Sequence, residues 1–376
     1  MELMAVLILL CVVMIAQNLL YRKLAFAGVS YSCRFSTNEA AEGDEITLVE
    51  EIVNNKLLPL PWLKAEITTS RFLEFAGSQS LVTEDTRFVP SFFMMRSYQK
   101  VTRTWKVKCL KRGVYGMNRI VLVATDLLGN VNASKVMVFD QTLTVLPRPV
   151  DLTADFPTHL RMTGDHIVKR HLIADPFMIA GVREYTDRDS MNRIHWPASA
   201  RTGQLMVHNN EYTADQSIAM ILNMQSRAYE GTATMDRDKI EDAIHVCAGY
   251  LDDTLRSGIP VSLYSNGCAT GSDETVLSPE YWGREHVLEL LRTLARLDYR
   301  YADTFHNFLE TTCRDTKASD IVLITAFLSE EILNYAGEMQ RMGRRVMVVH
   351  IGKLPENLEY EVTVPLFEFM GGELHG

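Results

Sequence analysis

Carboxylate and imidazole side chains gather in one short segment of the chain, residues 181–205. Glu184, Asp187 and Asp189 lie close together, and His195 follows them. A carboxylate and an imidazole that converge on a substrate can act as general acid and base, which is the chemistry of a hydrolase. Spacing alone does not show that these groups converge. The segment is therefore either a polar catalytic cluster or a solvated loop.

The familiar catalytic signatures are absent from the sequence. It contains no H-E-x-x-H, no G-x-S-x-G and no phosphate-binding G-x-x-x-x-G-K-[ST] motif. No two cysteines have C-x-x-C spacing and none lies beside a histidine at zinc-ligand spacing, so scattered reduced thiols in a reducing compartment are expected. We expect no enzymatic activity, no metal and no cofactor.

Length and charge limit the classes of function further. The chain has 376 residues, which suits two or three domains, and a formal net charge of −9. It has no long Lys/Arg run, and nucleic-acid binding requires a clustered basic surface. We therefore expect no nucleic-acid partner.

The first segment is almost continuously apolar from Leu3 to Leu20. As a helix it would be about 27 Å long, enough to cross a hydrocarbon core. Arg22 and Lys23 follow at once, and cations flank a span on its cytoplasmic side. The sequence predicts a single-pass anchor, residues 1–23, that crosses the bilayer with residues 3–20 and leaves the C-terminal domains in the cytoplasm.

Other interpretations of this segment remain open. Residues 25–27, Ala-Phe-Ala, have the small-x-small pattern of a signal-peptide cleavage site, although no basic residue precedes the apolar core. A buried soluble helix is a further interpretation, but the segment has no polar face.

The next region, residues 28–149, has the pattern of a β-sandwich. Short alternating or β-branched runs are separated by Gly, Pro and Asn turn signals, and no helical period of useful length occurs. The run at 92–95, Phe-Phe-Met-Met, is either an exposed contact stripe or a core strand. Pro147 and Pro149 indicate a stiff linker after the sandwich.

The last region, residues 150–376, changes to an α/β pattern. Buried strands are predicted at 218–224, 260–264, 320–327 and 346–351, with helices between them. Gly258 is expected to end one helix and Ser329 to begin another. Strands that alternate with helices predict a doubly wound, mostly parallel sheet, whose ligand sites lie at the carboxyl ends of the strands. Those ends are expected after Met224, Tyr264 and Thr325.

Residues 181–205, here called the signature segment, read GVREYTDRDSMNRIHWPASARTGQL. The segment resembles the signature of the bacterial family called domain of unknown function 58, roughly G-x-R-E-Y-x-x-G-D-x-x-R-x-I-x-W-x-x-[ST]-A-R-x-G-x-L. Two positions depart from this pattern: Arg188 replaces a glycine, and Asn192 replaces an arginine, although Arg193 follows directly. Residues 111–115, 126–129 and 145–147 resemble the sandwich that precedes the family's main domain, so the resemblance covers nearly the whole chain.

The resemblance implies a fold and a partner. It implies a von Willebrand factor A-like α/β domain, preceded by a β-sandwich and an N-terminal transmembrane helix. Because genes of the family accompany MoxR-type AAA+ ATPases, it implies a non-enzymatic adaptor of such an ATPase at the cell membrane. The alternatives are the hydrolase that would use Glu184 and Asp189, and a module that binds envelope material, which would need the opposite topology.

The resemblance also implies where a metal would bind. A von Willebrand factor A domain holds Mg²⁺ with oxygen ligands that follow its first strand and a later one. These positions fall here on neutral or cationic side chains: Asn223, Gln225, Arg227 and Ala326. We predict a degenerate site that holds no metal, and that persists, if at all, as a contact surface.

The charged residues of the signature segment are the candidate binding residues. They are too many to bury singly, so they must be solvated or paired. If the stretch is extended, Ile194 and Trp196 lie on one face, and we expect both to be buried and to hold the segment against the α/β core. The candidate binding set is Arg183, Glu184, Tyr185, Asp189, Arg193, Trp196 and Arg201.

Overall fold

The computed structural model divides into two compact units, one of Met1–Arg148 with Leu294–Arg296 and the other of the remaining residues. The structure describes residues 2–126, 129, 132–152, 179–185, 194–210, 217–231, 234–353 and 364–370.

The N-terminal unit begins with helix α1, Glu2–Leu24, which contains the predicted span. Several of its large apolar side chains are exposed: Met4, Ile8, Leu9, Val12, Ile15 and Leu19. Among the residues that the structure describes, no helix meets both the length and the hydropathy that crossing a membrane requires. The anchor at residues 3–20 stays a prediction.

The last turn of α1 enters the core of the N-terminal unit. Tyr21 and Ala25 are buried in the same apolar cluster as the strands that follow. The Tyr21 hydroxyl donates to the Thr125 carbonyl at 3.0 Å, and Lys56 Nζ donates to the Ala25 carbonyl at 2.8 Å. The helix is thus joined to the rest of its unit by packing and by hydrogen bonds.

The remainder of this unit is a β-sandwich, as predicted. One sheet has the order β1-β3-β8-β5, formed by Val29–Phe35, Glu45–Asn54, Gln99–Cys109 and Leu73–Phe75. The other has the order β2-β10-β9-β4-β7-β6, formed by Glu39–Ala41, Asn132–Leu146, Gly113–Thr125, Leu60–Ser70, Thr86–Met95 and Leu81–Val82. Neighbouring strands are antiparallel except β2 and β10, which are parallel.

Every second side chain along the strands points into the core of the sandwich. On β7, Phe93 and Met95 are buried whereas Phe92 and Met94 are exposed, so the run at 92–95 is a core strand on one face only. Strand β3 alternates in the same way but turns a carboxylate inward. Glu50 is fully buried and accepts hydrogen bonds from Tyr31 at 2.8 Å, Ser91 at 2.8 Å and Trp105 at 3.1 Å.

The C-terminal unit contains a mostly parallel sheet with the order β15-β14-β13-β17-β18-β19. Strands β13, β14, β17, β18 and β19 are parallel, and β15 is an antiparallel edge. In chain order their bounds are Ile218–Leu222, Val261–Ala269, Thr275–Leu277, Asp320–Thr325, Arg345–Ile351 and Leu366–Phe369. Successive strands add on one side of β13 and then on the other, so the order reverses between β13 and β17.

Two predicted helix ends of this unit are confirmed, those at Gly258 and Ser329. In the described part the helices are α2, Trp196–Thr202; α3, Arg237–Ser257; α4, Arg284–Arg296; the short α5, Phe305–Phe308, continued by a π-turn; and α6, Glu330–Arg341. Gly258 caps α3 in the left-handed conformation, and the Ser329 hydroxyl accepts from the Ile332 amide at the start of α6. Strand β16, Leu297–Tyr301, pairs with β14.

The largest error in a predicted strand end is at β14, whereas β13 and β17 each end two residues before the predicted position. Strand β14 does not stop at Tyr264 but continues to Ala269. Its polar residues Ser265 and Asn266 are fully buried, which a turn at the protein surface would not require. The strand continues because these side chains find hydrogen-bond partners inside the unit.

Candidate functional site

The signature segment folds into a small hairpin that carries a helix. Strand β11, Ile179–Glu184, pairs antiparallel with β12, Met206–Asn210, and helix α2, Trp196–Thr202, lies between them in the chain. In the register of the pair, Arg183 faces Val207 and Glu184 faces Met206. The structure describes the backbone of these two candidate residues but not their side chains.

Both ends of α2 are fixed by specific hydrogen bonds. At the start, His195 Nδ1 accepts from the Ala198 amide at 3.0 Å and caps the helix. At the end, Gly203 adopts a φ of 72° and its amide donates to the Ser199 carbonyl, a left-handed cap that suits glycine. Pro197 lies in the first turn, where proline fits a helix.

Ser199 ties the helix to the neighbouring strand. Its hydroxyl donates to the His195 carbonyl at 3.0 Å and accepts from the Met206 amide at 2.8 Å. The His195 amide donates to the Met206 carbonyl at 2.7 Å, and the Tyr185 amide donates to the Leu205 carbonyl at 2.9 Å. The backbone around α2 is therefore held in one position.

The expectation that Trp196 is buried is wrong. Ile194 is buried, as predicted, but Trp196 is 66% exposed at the first residue of α2. The prediction assumed an extended backbone, on which the two side chains share a face. The helix begins between them, which turns the chain and separates their directions.

The other candidate residues of the segment are only partly described. Arg201 is exposed near the end of α2, and Tyr185 is half-buried. Asp187, Asp189 and Arg193 lie outside the described residues. Of the side chains in the proposed acid–base cluster, the structure describes only that of His195. Its Nδ1 atom already accepts the hydrogen bond that caps α2.

A polar network lies at the carboxyl ends of β13 and β17, where the order of the sheet reverses. Asn223 is fully buried; its amide group donates to Thr325 Oγ1 at 3.0 Å, and its oxygen accepts from the Gln225 amide at 2.9 Å. Gln225 Oε1 then accepts from the Phe305 amide at 2.6 Å. The Thr325 hydroxyl donates to the Phe327 carbonyl at 2.7 Å.

Asn266 on β14 extends this network. Its oxygen accepts from the Met224 amide at 2.8 Å and its nitrogen donates to the Asp303 carbonyl at 3.1 Å. Gly267 allows the close approach of the strands, because a Cβ there would lie 2.5 Å from Met224 Cγ. Asn266 was not predicted as a residue of this site. The only indication in the sequence was the polar pair Ser265-Asn266 in a run whose other residues are typical of a strand.

These residues do not fit a divalent cation. The side chains that converge here are amides and a hydroxyl, and their oxygen atoms bond to one another or to backbone groups, whereas Mg²⁺ prefers carboxylate oxygens. Of the other predicted positions, Arg227 is exposed and Ala326 is buried without a polar side chain. In the part of the chain that the structure describes, no group of three His, Cys, Asp or Glu residues is arranged to hold a metal ion.

No curated protein matches the chain. Among solved structures, a CARDB domain from Pyrococcus furiosus is 10% identical, with 31% of this chain and 91% of that chain covered and a TM-score of 0.21. A non-cellulosomal cohesin from Archaeoglobus fulgidus is 14% identical, covers 29% and 92%, and has a TM-score of 0.20.

A cohesin module from a Clostridium perfringens glycoside hydrolase is 9% identical, covers 32% and 98%, and has a TM-score of 0.22. The family model described as protein of unknown function DUF58 matches residues 181–363, which include the signature segment, the polar network and most of the parallel sheet. Residues 181–363 of this chain therefore form a domain of the DUF58 family.

Proposed function

We propose that the chain is a membrane-anchored, non-enzymatic interaction protein that serves as an adaptor of a MoxR-type AAA+ ATPase. One observation carries the proposal: Trp196, within the signature segment, is exposed on a helix whose backbone is fixed at both ends. Tryptophan is among the residues that most often dominate binding energy at protein interfaces. A side chain presented from an ordered backbone also loses less conformational entropy on binding.

The polar network supports a non-enzymatic role. A catalytic centre at the carboxyl ends of the strands needs groups whose hydrogen-bonding atoms can contact a substrate. Here the side chains of Asn223, Gln225, Asn266 and Thr325 are buried, and they bond to protein groups. Their role in this proposal is to hold β13, β14 and β17 together.

The proposed location is the cell membrane, with one span through residues 3–20 and both folded units in the cytoplasm. Support comes from the apolar side chains that α1 exposes and from Arg22 and Lys23 at its end. Among the residues described in the N-terminal unit, none covers those apolar side chains, and a bilayer would remove them from water.

The test is capture of the ATPase by the purified chain in detergent or nanodiscs. We expect Trp196→Ala to weaken binding of the MoxR-type ATPase from the same genome by about 30-fold or more, the effect of losing an interface residue worth at least about 2 kcal/mol. The melting temperature should stay unchanged, because the side chain is exposed.

Trp282→Ala is the matched control, since Trp282 is 62% exposed and belongs to the same unit. It should bind the ATPase as the unchanged chain does. Wild-type affinity for Trp196→Ala would refute the assigned surface. A chain that captures no such ATPase at all would refute the partner.

A further inference from the structure

The end of the sandwich where α1 leaves it carries exposed apolar side chains from three different parts of the N-terminal unit. Leu57 lies in the β3–β4 connection, Trp62 at the start of β4, and Tyr98 in the β7–β8 turn. All three are exposed. Tyr98 also has a φ of 53°, which is unusual for a residue other than glycine and shows that the turn is held in a particular shape.

Hydrogen bonds place these residues around the end of α1. Lys56, next to Leu57, donates to the Ala25 carbonyl at 2.8 Å, and the Tyr98 amide donates to the Lys56 carbonyl at 3.2 Å. Trp62 is paired in register with Thr125, whose carbonyl accepts from the Tyr21 hydroxyl at 3.0 Å. The exposed side chains are therefore tied, through one or two contacts, to the last turn of the helix.

The exposed charges of three segments at this end have one sign, and Asp126, close to Tyr21, is buried. Residues 21–28, 54–59 and 96–99 contain Arg22, Lys23, Lys56 and Arg96 and no Asp or Glu. Arg22, Lys23 and Arg96 are exposed. Exposed aromatic and aliphatic side chains among cations are the composition of a protein surface at the headgroup level of an anionic leaflet.

The length of the helix fixes the distance to the bilayer. Leu19 is exposed within the predicted span, and Ala25, in the core, lies six positions further along the chain, a rise of about 9 Å. This is comparable with the thickness of one headgroup layer, since headgroups account for the difference between the roughly 30 Å hydrocarbon core and the roughly 40–45 Å bilayer.

We propose that Leu57, Trp62 and Tyr98, with the surrounding cations, form a lipid-contact surface that enters the headgroup layer of the anionic leaflet. The inference rests on the proposed membrane anchor and adds a second contact between the protein and the lipid. The sandwich is then seated on the bilayer with its α1 end down, rather than suspended from a free helix.

The test uses the full chain with single introduced cysteines that carry a fluorophore, reconstituted in vesicles of phosphatidylglycerol and phosphatidylcholine. The quencher is a lipid spin-labelled at its headgroup. Leu57→Cys and Tyr98→Cys probe the proposed surface in a chain that also carries Cys11→Ala. Five native thiols are free and buried, which leaves the introduced thiols accessible to the label: Cys33, Cys109, Cys247, Cys268 and Cys313. Both labels should lose emission when the quencher lipid is included.

Leu81→Cys is the matched control, because Leu81 is exposed in the same unit but pairs with Phe88, towards the opposite end of β7 from Arg96. Its label should keep its emission. Val12→Cys with an acyl-chain quencher reports on α1 separately. Quenching at Val12 with none at Leu57 and Tyr98 would overturn this inference and leave the anchor standing; no quenching at any of these positions would overturn both.

Discussion

At the scale of single residues, Trp196 shows how the start of a helix decides the direction of a side chain. The residue type and the alternation with Ile194 favoured burial, because both are large and apolar. A helix begins at that point because Pro197 follows Trp196 and because the imidazole of the preceding residue, His195, caps the helix. The sequence held both signals, but a seven-residue helix is too short to show a period.

His350, near the end of β18, is a second residue whose environment the sequence does not reveal. It is buried, and its Nδ1 donates to the Gly352 carbonyl at 3.0 Å. Burial lowers the pKa of His350 from the ordinary 6.5, and Lys239 acts in the same direction, while the Gly352 carbonyl and Glu368 oppose it. The folded protein therefore holds this ring neutral.

This pKa shift predicts a loss of stability in acid. As the pH falls below about 6.5, the unfolded chain binds a proton at His350 before the folded chain does, so the free energy of unfolding decreases below that pH. His350→Asn removes the titrating ring. In urea denaturation at about pH 7.5, 6.5 and 5.5, the variant should lose less stability than the unchanged chain, by at most about 1.4 kcal/mol per pH unit. Parallel curves for the two proteins would contradict the prediction.

At the scale of elements, the C-terminal unit was the easier to predict. Continuous apolar runs mark its buried strands, and Gly258 and Ser329 mark helix ends, because each of these signals is local. The extension of β14 through Ser265 and Asn266 was not predictable, since buried polar side chains in a strand are indistinguishable from a turn until their partners are known.

Strand β3 presents the same difficulty in the sandwich. Glu50 and Glu51 are identical neighbours in the sequence, yet one lies in the core with three hydrogen-bond donors and the other is half-exposed, 2.7 Å from Lys100. Alternation predicts that one of them points inward. It does not predict that Tyr31, Ser91 and Trp105 come from three other strands to meet it.

The two neighbours should therefore differ in what they contribute. Glu50→Ala leaves two buried donors and one half-buried donor without an acceptor and should lower the free energy of unfolding by about 3–5 kcal/mol. Glu51→Ala breaks only a partly exposed ion pair and should cost less than about 1 kcal/mol. Equal losses in urea denaturation would mean that the Glu50 network contributes nothing beyond a surface pair.

At the scale of the whole molecule, the sequence predicted the classes of both units but not the strand order. Which strands lie side by side depends on contacts between distant parts of the chain, and local periodicity carries no information on them. Asn223 lies beside Thr325 because β13 and β17 are neighbours in the sheet. The two neutral side chains therefore bond to each other at the position where a metal site would lie.

Topology is the prediction at this scale. Arg22 and Lys23 at the end of α1 should retain the following domains in the cytoplasm. A C-terminal alkaline phosphatase fusion should be inactive in intact cells, and a C-terminal fluorescent protein that matures only in the cytoplasm should be bright. The reverse pattern would refute the orientation and favour the envelope-binding alternative.

The seating of Tyr21 and Ala25 in the sandwich core has a mechanical consequence. A helix held at its end by packing and by the Lys56 contact cannot spin independently of the domain it carries. In a bilayer, the viscous drag on the helix then governs the tumbling of the whole sandwich, and any torque applied to the sandwich reaches the lipid. Rotational diffusion of a probe on the exposed face of β7 should accordingly be as slow as that of the helix, and should quicken when Lys56→Ala loosens the joint.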